Sequence, residues 1–194
     1  MSDLYKYTFA ELEFLLGGWP GWPHGREILG LNPESTEGIR MAGAASLLVR
    51  GLAKVDGADI VVDPAVMMPA SVLVSGGEVF GLALSGNERM ALSTLVIARA
   101  PAGRILVSAD LPGIFELRPL TVDVEPLAML TEISLGVVSD AGILAIAHGD
   151  TVLQIQHQDG TWSWRTAEDQ QMVPASEGEI RQQIARIFGP VLEA

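Results

Sequence analysis

The chain has no cysteine, and it has only three histidines, at positions 24, 148 and 157. The absence of cysteine excludes disulfides, thiolate nucleophiles and cysteine-bound zinc. The two later histidines fall at opposite ends of a predicted strand pair, and at about 3.3 Å per residue they lie roughly 20 Å apart. That separation is too large for a shared metal ion. We therefore expect neither a metal site nor a cofactor site.

Recognisable catalytic motifs are also missing. The run LSGNERM lacks the Lys-Ser/Thr pair of a phosphate-binding loop, and no G-x-S-x-G nucleophile motif occurs. Glu11 and Glu13 stand two apart on a predicted helix, so they face different directions and are expected on its solvated surface. The sequence predicts a protein that is not an enzyme and has no catalytic residues.

Positive charge is scarce as well. The 194 residues carry 24 acidic and 12 basic side chains, a net charge of −12, and lysine occurs only at positions 6 and 54. Duplex binding requires Lys and Arg to neutralise phosphates, so this balance disfavours nucleic acid as a partner. The N-terminal MSDLYKYTF lacks the charged-then-apolar pattern of a secretion signal, and the apolar runs are shorter than the ~20 residues that span a bilayer. We expect a folded, cytoplasmic protein without a membrane partner.

Residues 38–64 contain the most informative pattern. They predict a helix that ends at Gly51, a strand at 52–55, an Asp56-Gly57 turn, a strand at 60–62, and a new helix at Asp63-Pro64. A helix followed by a small hairpin is the outline of a winged helix, which serves both DNA and protein contacts. We therefore predict a winged-helix-like unit.

The charges of this unit do not favour DNA. One helix face carries two cations among four residues: Arg40, Gly43, Ser46 and Arg50. The hairpin sets three carboxylates against one lysine: Asp56, Asp59 and Asp63 against Lys54. That is the wrong sign for contact with phosphate, so a solvated helix face beside a packed hairpin is the favoured interpretation.

Before this unit, Thr8 is expected to cap a helix with Glu11 at the capping-box position. The segment WPGWPHG follows, with Trp19 and Trp22 each before a proline. Two interpretations remain open. The segment is either an exposed polyproline-like contact surface or a rigid connection whose indole rings pack onto the core.

From residue 77 onward the pattern changes from helical to alternating. Strands are predicted at 78–85, 91–99, 104–110, 114–119, 142–148, 151–158 and 161–166. Helices are predicted at 123–135 and after Ser176, ending near Gly189-Pro190. The fold class is α+β: a helical and winged-helix-like unit (1–76) precedes antiparallel β-meanders flanked by helices (77–194), in one compact globule.

Two segments within residues 77–194 have similar sequences. ILVSADLPGIFELR (105–118) aligns without a gap over VLQIQHQDGTWSWR (152–165), which suggests two meander-plus-helix repeats, 77–138 and 139–194, with quasi-twofold symmetry. Chance similarity between two hairpins is the alternative.

One predicted hairpin has a polar face. A two-residue Asp159-Gly160 turn pairs His157 with Trp162 and Ile155 with Trp164. The opposite face is then polar without strong charge and suits a protein contact. The candidate contact residues are Trp19, Trp22, Gln154, Gln156, Gln158 and Arg165.

The run from ERMALSTLVIARA through FELRPL to PLAMLTEI, with FAELEFLLGGW, SLLVRGL and an acidic DP step before it, resembles the EspG-like type VII (ESX) secretion-associated proteins of actinobacteria. The resemblance covers about residues 8–188. It implies a cytosolic chaperone for secreted helical substrates, with a quasi-twofold antiparallel sheet flanked by helices. It rests on the order of elements, so it transfers no binding residue.

Two functions from different classes are therefore carried forward. The first is a non-enzymatic protein-binding module, similar to a chaperone or adaptor, whose partner is a helical substrate or a second copy of the chain. The alternative is a winged-helix transcriptional regulator whose β-rich region senses a ligand or dimerises.

Overall fold

A computed structural model describes residues 6–31, 37–75, 78–86, 95–100, 103–111, 113–120, 125–138, 142–166 and 170–192. The α+β prediction is confirmed, since helices flank antiparallel strands throughout these ranges. No helix in these ranges combines the length and the hydropathy needed to cross a bilayer.

The elements in chain order are as follows: β1 (Lys6–Thr8), α1 (Phe9–Leu16), α2 (Trp22–Ile28), α3 (Glu37–Val49), β2 (Ala53–Asp56), β3 (Asp59–Val62), α4 (Pro64–Val72), β4 (Glu78–Gly86), β5 (Leu95–Ala100), β6 (Gly103–Leu111), β7 (Ile114–Leu120), α5 (Pro126–Val138), β8 (Gly142–His148), β9 (Thr151–Gln158), β10 (Thr161–Arg165), β11 (Val173–Ala175) and α6 (Glu177–Leu192).

The chain packs into two compact units. Unit 1 comprises Met1–Gly77 and Ala98–Leu120, and unit 2 comprises Glu78–Ile97 and Thr121–Ala194. Residues 98–120, which the repeat pattern groups with 77–138, therefore belong with the N-terminal segment. The internal repeat and the likeness of residues 38–64 to a winged helix stay predictions.

Unit 1 contains antiparallel strands in the order β1-β7-β6, beside a separate β2–β3 hairpin. Strand alternation buries Ile105, Val107, Phe115 and Leu117 on the side that carries the core, and α4 packs on β6 and β7. Tyr7 is fully buried, and its hydroxyl donates to the carbonyl oxygen of Val66 at 2.9 Å. The sequence pattern missed β1, which is only three residues long.

Helix α1 begins with the predicted capping box. The side chain of Thr8 accepts from the N–H of Glu11 at 3.2 Å, and Glu11 Oε2 accepts from the N–H of Thr8 at 2.8 Å. This helix packs on α3 at very short range, because Gly43 has no side chain. A Cβ at position 43 would lie 1.9 Å from the carbonyl oxygen of Ala10.

The prediction that Glu11 and Glu13 are solvated is wrong, because both are fully buried. Glu11 accepts from the hydroxyl of Ser46 at 2.7 Å and from Nη1 of Arg50 at 2.8 Å. Glu13 accepts from Nε of Arg26 at 2.9 Å. Ion pairs therefore join α1 to the end of α3 and to α2, a short helix that the sequence pattern missed.

The pKa of Glu11 reflects this environment. Burial by itself raises the pKa. The hydrogen bonds from the N–H of Thr8, from Ser46 and from Arg50, together with the charge of Arg50, outweigh it and lower the pKa below the ordinary 4.5. The ionised form is thus the stable form in the folded protein.

Unit 2 contains antiparallel strands in the order β4-β8-β9-β10-β11, covered by α5 and α6. The predicted hairpin register is confirmed: His157 pairs with Trp162, and their rings stack at 4.4 Å. Asp159 and Gly160 both have positive φ, +51° and +75°, as a type I′ turn requires.

The last helix begins as predicted and ends later. Ser176 Oγ accepts from the N–H of Glu179 at 3.3 Å, which confirms the predicted cap. The expected stop at Gly189-Pro190 is wrong, since α6 continues to Leu192 with Pro190 inside it. The short edge strand β11 was not predicted. Predicted strand residues 91–94 and helix residues 123–124 lie outside the described residues.

Replacing Gly43 with alanine is expected to destabilise the protein by about 2 kcal/mol, because the new methyl group would overlap the backbone of α1. Gly136→Ala is the matched control: it is also in a helix, but its Cβ meets open space. That substitution should be neutral or stabilising by up to ~1 kcal/mol. Urea unfolding of both variants tests this, and equal effects would contradict the close α1–α3 approach.

Replacing Glu11 with glutamine is expected to lower the free energy of unfolding by about 2 kcal/mol at pH 7. A fully buried pair would lose ~3–5 kcal/mol, but Arg50 keeps part of its hydration. Glu27→Gln, at an exposed glutamate, serves as the control and should stay within about 0.5 kcal/mol of the parent.

The pH dependence of this variant has a definite sign. The folded pKa of Glu11 is below its unfolded value, so its stabilising contribution is complete above the unfolded pKa and is lost as pH falls through the folded one. The gap in unfolding free energy between parent and E11Q should therefore narrow below about pH 4.5. A gap that is constant from pH 7 to pH 3 would refute the ion-pair explanation.

Candidate functional site

Helix α3 ends sharply at Gly51. This glycine has φ +70°, and the N–H of Leu52 donates back to the carbonyl oxygen of Leu47 at 2.9 Å. A left-handed glycine with such a bond is the common way to terminate a helix. The chain consequently turns at once from α3 into strand β2.

The β2–β3 hairpin has a fixed register. Lys54 pairs with Val61 and Asp56 with Asp59, around a two-residue turn that begins with Gly57 at φ +64°. The N–H of Asp63 donates to the carbonyl oxygen of Leu52 at 3.0 Å and closes the base of the hairpin. Asp63 also caps α4, since its side chain accepts from the N–H of Ala65 at 2.8 Å.

One face of α3 is covered by α1. Gly43 lies against the backbone of Ala10, and Ser46 and Arg50 both donate to Glu11. This is the face that the sequence pattern presents as a solvated surface or a candidate for reading DNA. The expected exposure is wrong for Gly43, which is buried, and for Ser46, which is half-buried. Arg50 stays exposed although it is paired with Glu11.

The opposite face of α3 is apolar and exposed. Met41, Ala45 and Val49 recur every fourth residue and therefore lie in one stripe. Val49 is 89% exposed, the highest value among the large exposed hydrophobic residues of the described chain. Water usually faces polar side chains on a helix, so this stripe is an unpaired apolar surface.

The hairpin that follows α3 also exposes apolar side chains. Val55 is 66% exposed on one face of the hairpin, and Val61 is exposed on the other. Within the described residues β2 and β3 pair only with each other, and a two-stranded hairpin has little intrinsic stability in water. We call the stripe Met41, Ala45 and Val49, together with strands β2 and β3, the hairpin surface.

A cleft of about 290 Å³ opens at the base of the hairpin surface. Its walls come from the end of α3, both strands and the start of α4. The lining residues are Gly51, Leu52, Ala53, Lys54, Val61, Val62, Asp63 and Pro64. The cleft is slightly below the ~300–1,000 Å³ range of small-molecule pockets, so its size suits one anchoring side chain better than a cofactor.

The charges of the hairpin surface are mostly negative. Asp56 and Asp59 are exposed and stand directly opposite each other in the register. Across the described structure neither carboxylate has a hydrogen-bond or ion-pair partner. Lys54 is the only cationic residue between positions 51 and 64.

The two Trp-Pro tryptophans have different positions. Trp22 is only 2% exposed, and the guanidinium of Arg26 lies 5.2 Å from its ring centre. Trp19 is 41% exposed. The interpretation in which the indole rings pack onto the core therefore holds for Trp22, which lies in the core of unit 1. Trp19 is instead exposed, as a contact surface would require.

The glutamine face of β9 is less open than expected. Gln154 is buried, and its Oε1 accepts from Nε of Arg165 at 2.6 Å. Its predicted solvent exposure is wrong because the longer Arg165 side chain covers it. Gln156 and Gln158 do reach the surface, where the amide of Gln156 donates to Gln158 at 3.2 Å.

The histidines of unit 2 are packed side chains. His148 stacks on Phe80 at 4.8 Å between ring centres, and its Nε2 lies 2.5 Å from Oε2 of Glu78. His157 stacks on Trp162, as the hairpin register places it. Among the described residues no group of three or more His, Asp or Glu side chains could hold a metal ion.

The sequence pattern predicted the hairpin but not the exposed apolar stripe of α3. The available signal was helix α3 itself, whose sequence EGIRMAGAASLLV is apolar on nearly every side. Such a helix is either buried all round or exposes an apolar face. Gly43, Ala44 and Leu47 take the buried side, so Met41 and Val49 had to face elsewhere.

The chain was also compared with known proteins. No protein-family model matches it, and no curated protein matches it either.

Proposed function

We propose that this protein is a non-enzymatic protein-binding module and that the hairpin surface is its main contact. The observation that carries the proposal is the exposure of three valines in adjoining elements: Val49 at the end of α3, and Val55 and Val61 on the two faces of the hairpin that follows. Exposed apolar surface of this kind is a recognised mark of protein interaction sites. A chaperone or adaptor role of the EspG-like kind, in the cytoplasm, fits a surface of this type.

Two features favour a protein partner over DNA. The face of α3 with Arg40, Ser46 and Arg50 is turned to α1, and Arg50 is paired with Glu11. The hairpin that would approach phosphates carries Asp56 and Asp59 at its turn. Both features oppose the winged-helix regulator, because affinity for duplex DNA depends on free cations.

Each unit also has further candidate contact residues of its own. Trp19 in unit 1 is exposed, and Gln156, Gln158 and Arg165 lie at or near the surface of unit 2. Each is a candidate contact in its own unit. Of these side chains, Trp19 and Arg165 are of the types that are enriched at protein interfaces.

Val55→Ser is expected to abolish partner capture while leaving the fold intact, because Val55 is mostly exposed. Val173→Ser is the matched control, since Val173 is an exposed strand valine in unit 2. Tagged full-length parent, V55S and V173S are used for capture from lysate of the native host, with quantitative mass spectrometry. The expected result is a protein set retained by parent and V173S and lost with V55S. Equal capture by all three would overturn the assignment to the hairpin surface.

Duplex DNA is expected not to bind. Gel-shift or anisotropy measurements with a mixed-sequence duplex at 20–50 mM salt test this, since low ionic strength maximises phosphate contacts. Binding that weakens steeply as salt rises would instead favour the regulator and would count against the proposal.

A further inference from the structure

The hairpin surface combines a cleft of mixed polar and apolar lining with an unpaired carboxylate pair next to its Val61 wall. Lys54 and Val61 form one cross-strand pair, and Asp56 and Asp59 form the pair two residues further along. Side chains two apart on a strand face the same way, about 7 Å from each other. The Val61 wall of the cleft and the two carboxylates are therefore neighbours.

The carboxylate pair is unfavourable for the isolated protein. Like charges directly opposite each other on a hairpin destabilise the strand pairing. Lys54 offers one cation nearby, while Arg50 is held by Glu11. Asp63 has part of its hydrogen-bonding capacity used by the N–H of Ala65. An arriving cation would relieve the Asp56–Asp59 repulsion, so charge complementarity defines the sign of the occupant.

The size and the walls of the cleft indicate a second property of the occupant, namely an apolar side chain. About 290 Å³ with Leu52, Val61, Val62 and Pro64 in its walls accommodates an apolar side chain. The net charge of −12 adds a long-range field that speeds the approach of cationic segments.

We infer that the hairpin surface binds a cationic peptide segment, with an apolar side chain in the cleft and a Lys or Arg about two residues away on Asp56 and Asp59. The inference rests on the proposed protein-binding function and names the chemistry of the partner. An extended segment places alternate side chains ~7 Å apart, which matches the spacing of the cleft and the carboxylates.

The test uses a displayed library of random twelve-residue peptides, selected on the full-length protein. Enriched peptides are expected to contain an apolar residue with Lys or Arg two positions away. The best of them, made synthetically with a fluorophore, are then titrated by anisotropy against the D56N/D59N double variant. The control is E27Q/D150N, which removes the same two negative charges from exposed positions elsewhere.

Binding to D56N/D59N is expected to be roughly fivefold weaker than to E27Q/D150N at low salt, because only the first variant loses the local ion pairs. The difference should shrink as salt rises to 0.5 M, where exposed charges are screened. Val61→Ser should weaken binding at every salt concentration, since it removes an apolar wall of the cleft. Thermal melts confirm that each variant is folded.

Several outcomes would overturn the inference. They are enriched peptides without positive charge, equal weakening by both double variants, or no peptide that depends on the hairpin. Concentration-dependent self-association of the parent that V61S abolishes would show that a second copy is the occupant. In each case the capture experiment with V55S still decides separately whether the hairpin surface binds protein.

Discussion

The buried carboxylate of Glu11 is the contact on which the arrangement of unit 1 depends. It joins the first turn of α1 to Ser46 and Arg50, which lie 35 and 39 residues further along the chain. A buried charge is tolerated only when it is paired and hydrogen-bonded, so neither helix can move without exposing an unfavourable group. Arg50 is also the residue just before Gly51, where the chain turns into the hairpin. The ion pair thus fixes the point from which the candidate site projects.

The same packing explains why the apolar stripe is exposed. Gly43 lets the backbones of α1 and α3 approach closely, and this contact determines which face of α3 is inside. An apolar helix packed on one side must expose its other side unless another element covers it. In the described structure nothing covers Val49, and the hairpin leaves Val55 exposed on one face and Val61 exposed on the other. The contact between α1 and α3 therefore has two results. It stabilises unit 1 through the packed face of α3, and it leaves the opposite, apolar face of α3 free to bind a partner.

The sequence predicted what local physics determines. Turn chemistry at Asp159-Gly160 determined the register of β9 and β10, and the Ser176 cap located the start of α6. The sequence pattern did not predict properties that depend on contacts between residues far apart in the chain. Glu11 and Glu13 read as surface carboxylates because Arg50 and Arg26 are distant in sequence, and β1 pairs with β7 more than a hundred residues away. Trp19 and Trp22 share one local pattern, yet only tertiary contacts determined that Trp22 is buried. The hairpin of the candidate site was predictable, whereas its exposed valines were not.

The aspartates of the hairpin solve a problem that an exposed apolar strand pair creates. Unpaired strand edges with valine side chains invite association with any other exposed edge, and natural proteins protect such edges with charge. Two copies of this chain, each with a net charge of −12 and a carboxylate pair at the hairpin turn, repel each other at that surface. A cationic segment experiences the opposite force. Asp56 and Asp59 can therefore keep the surface open in the free protein and select its occupant, because both effects follow from the sign of the same two charges.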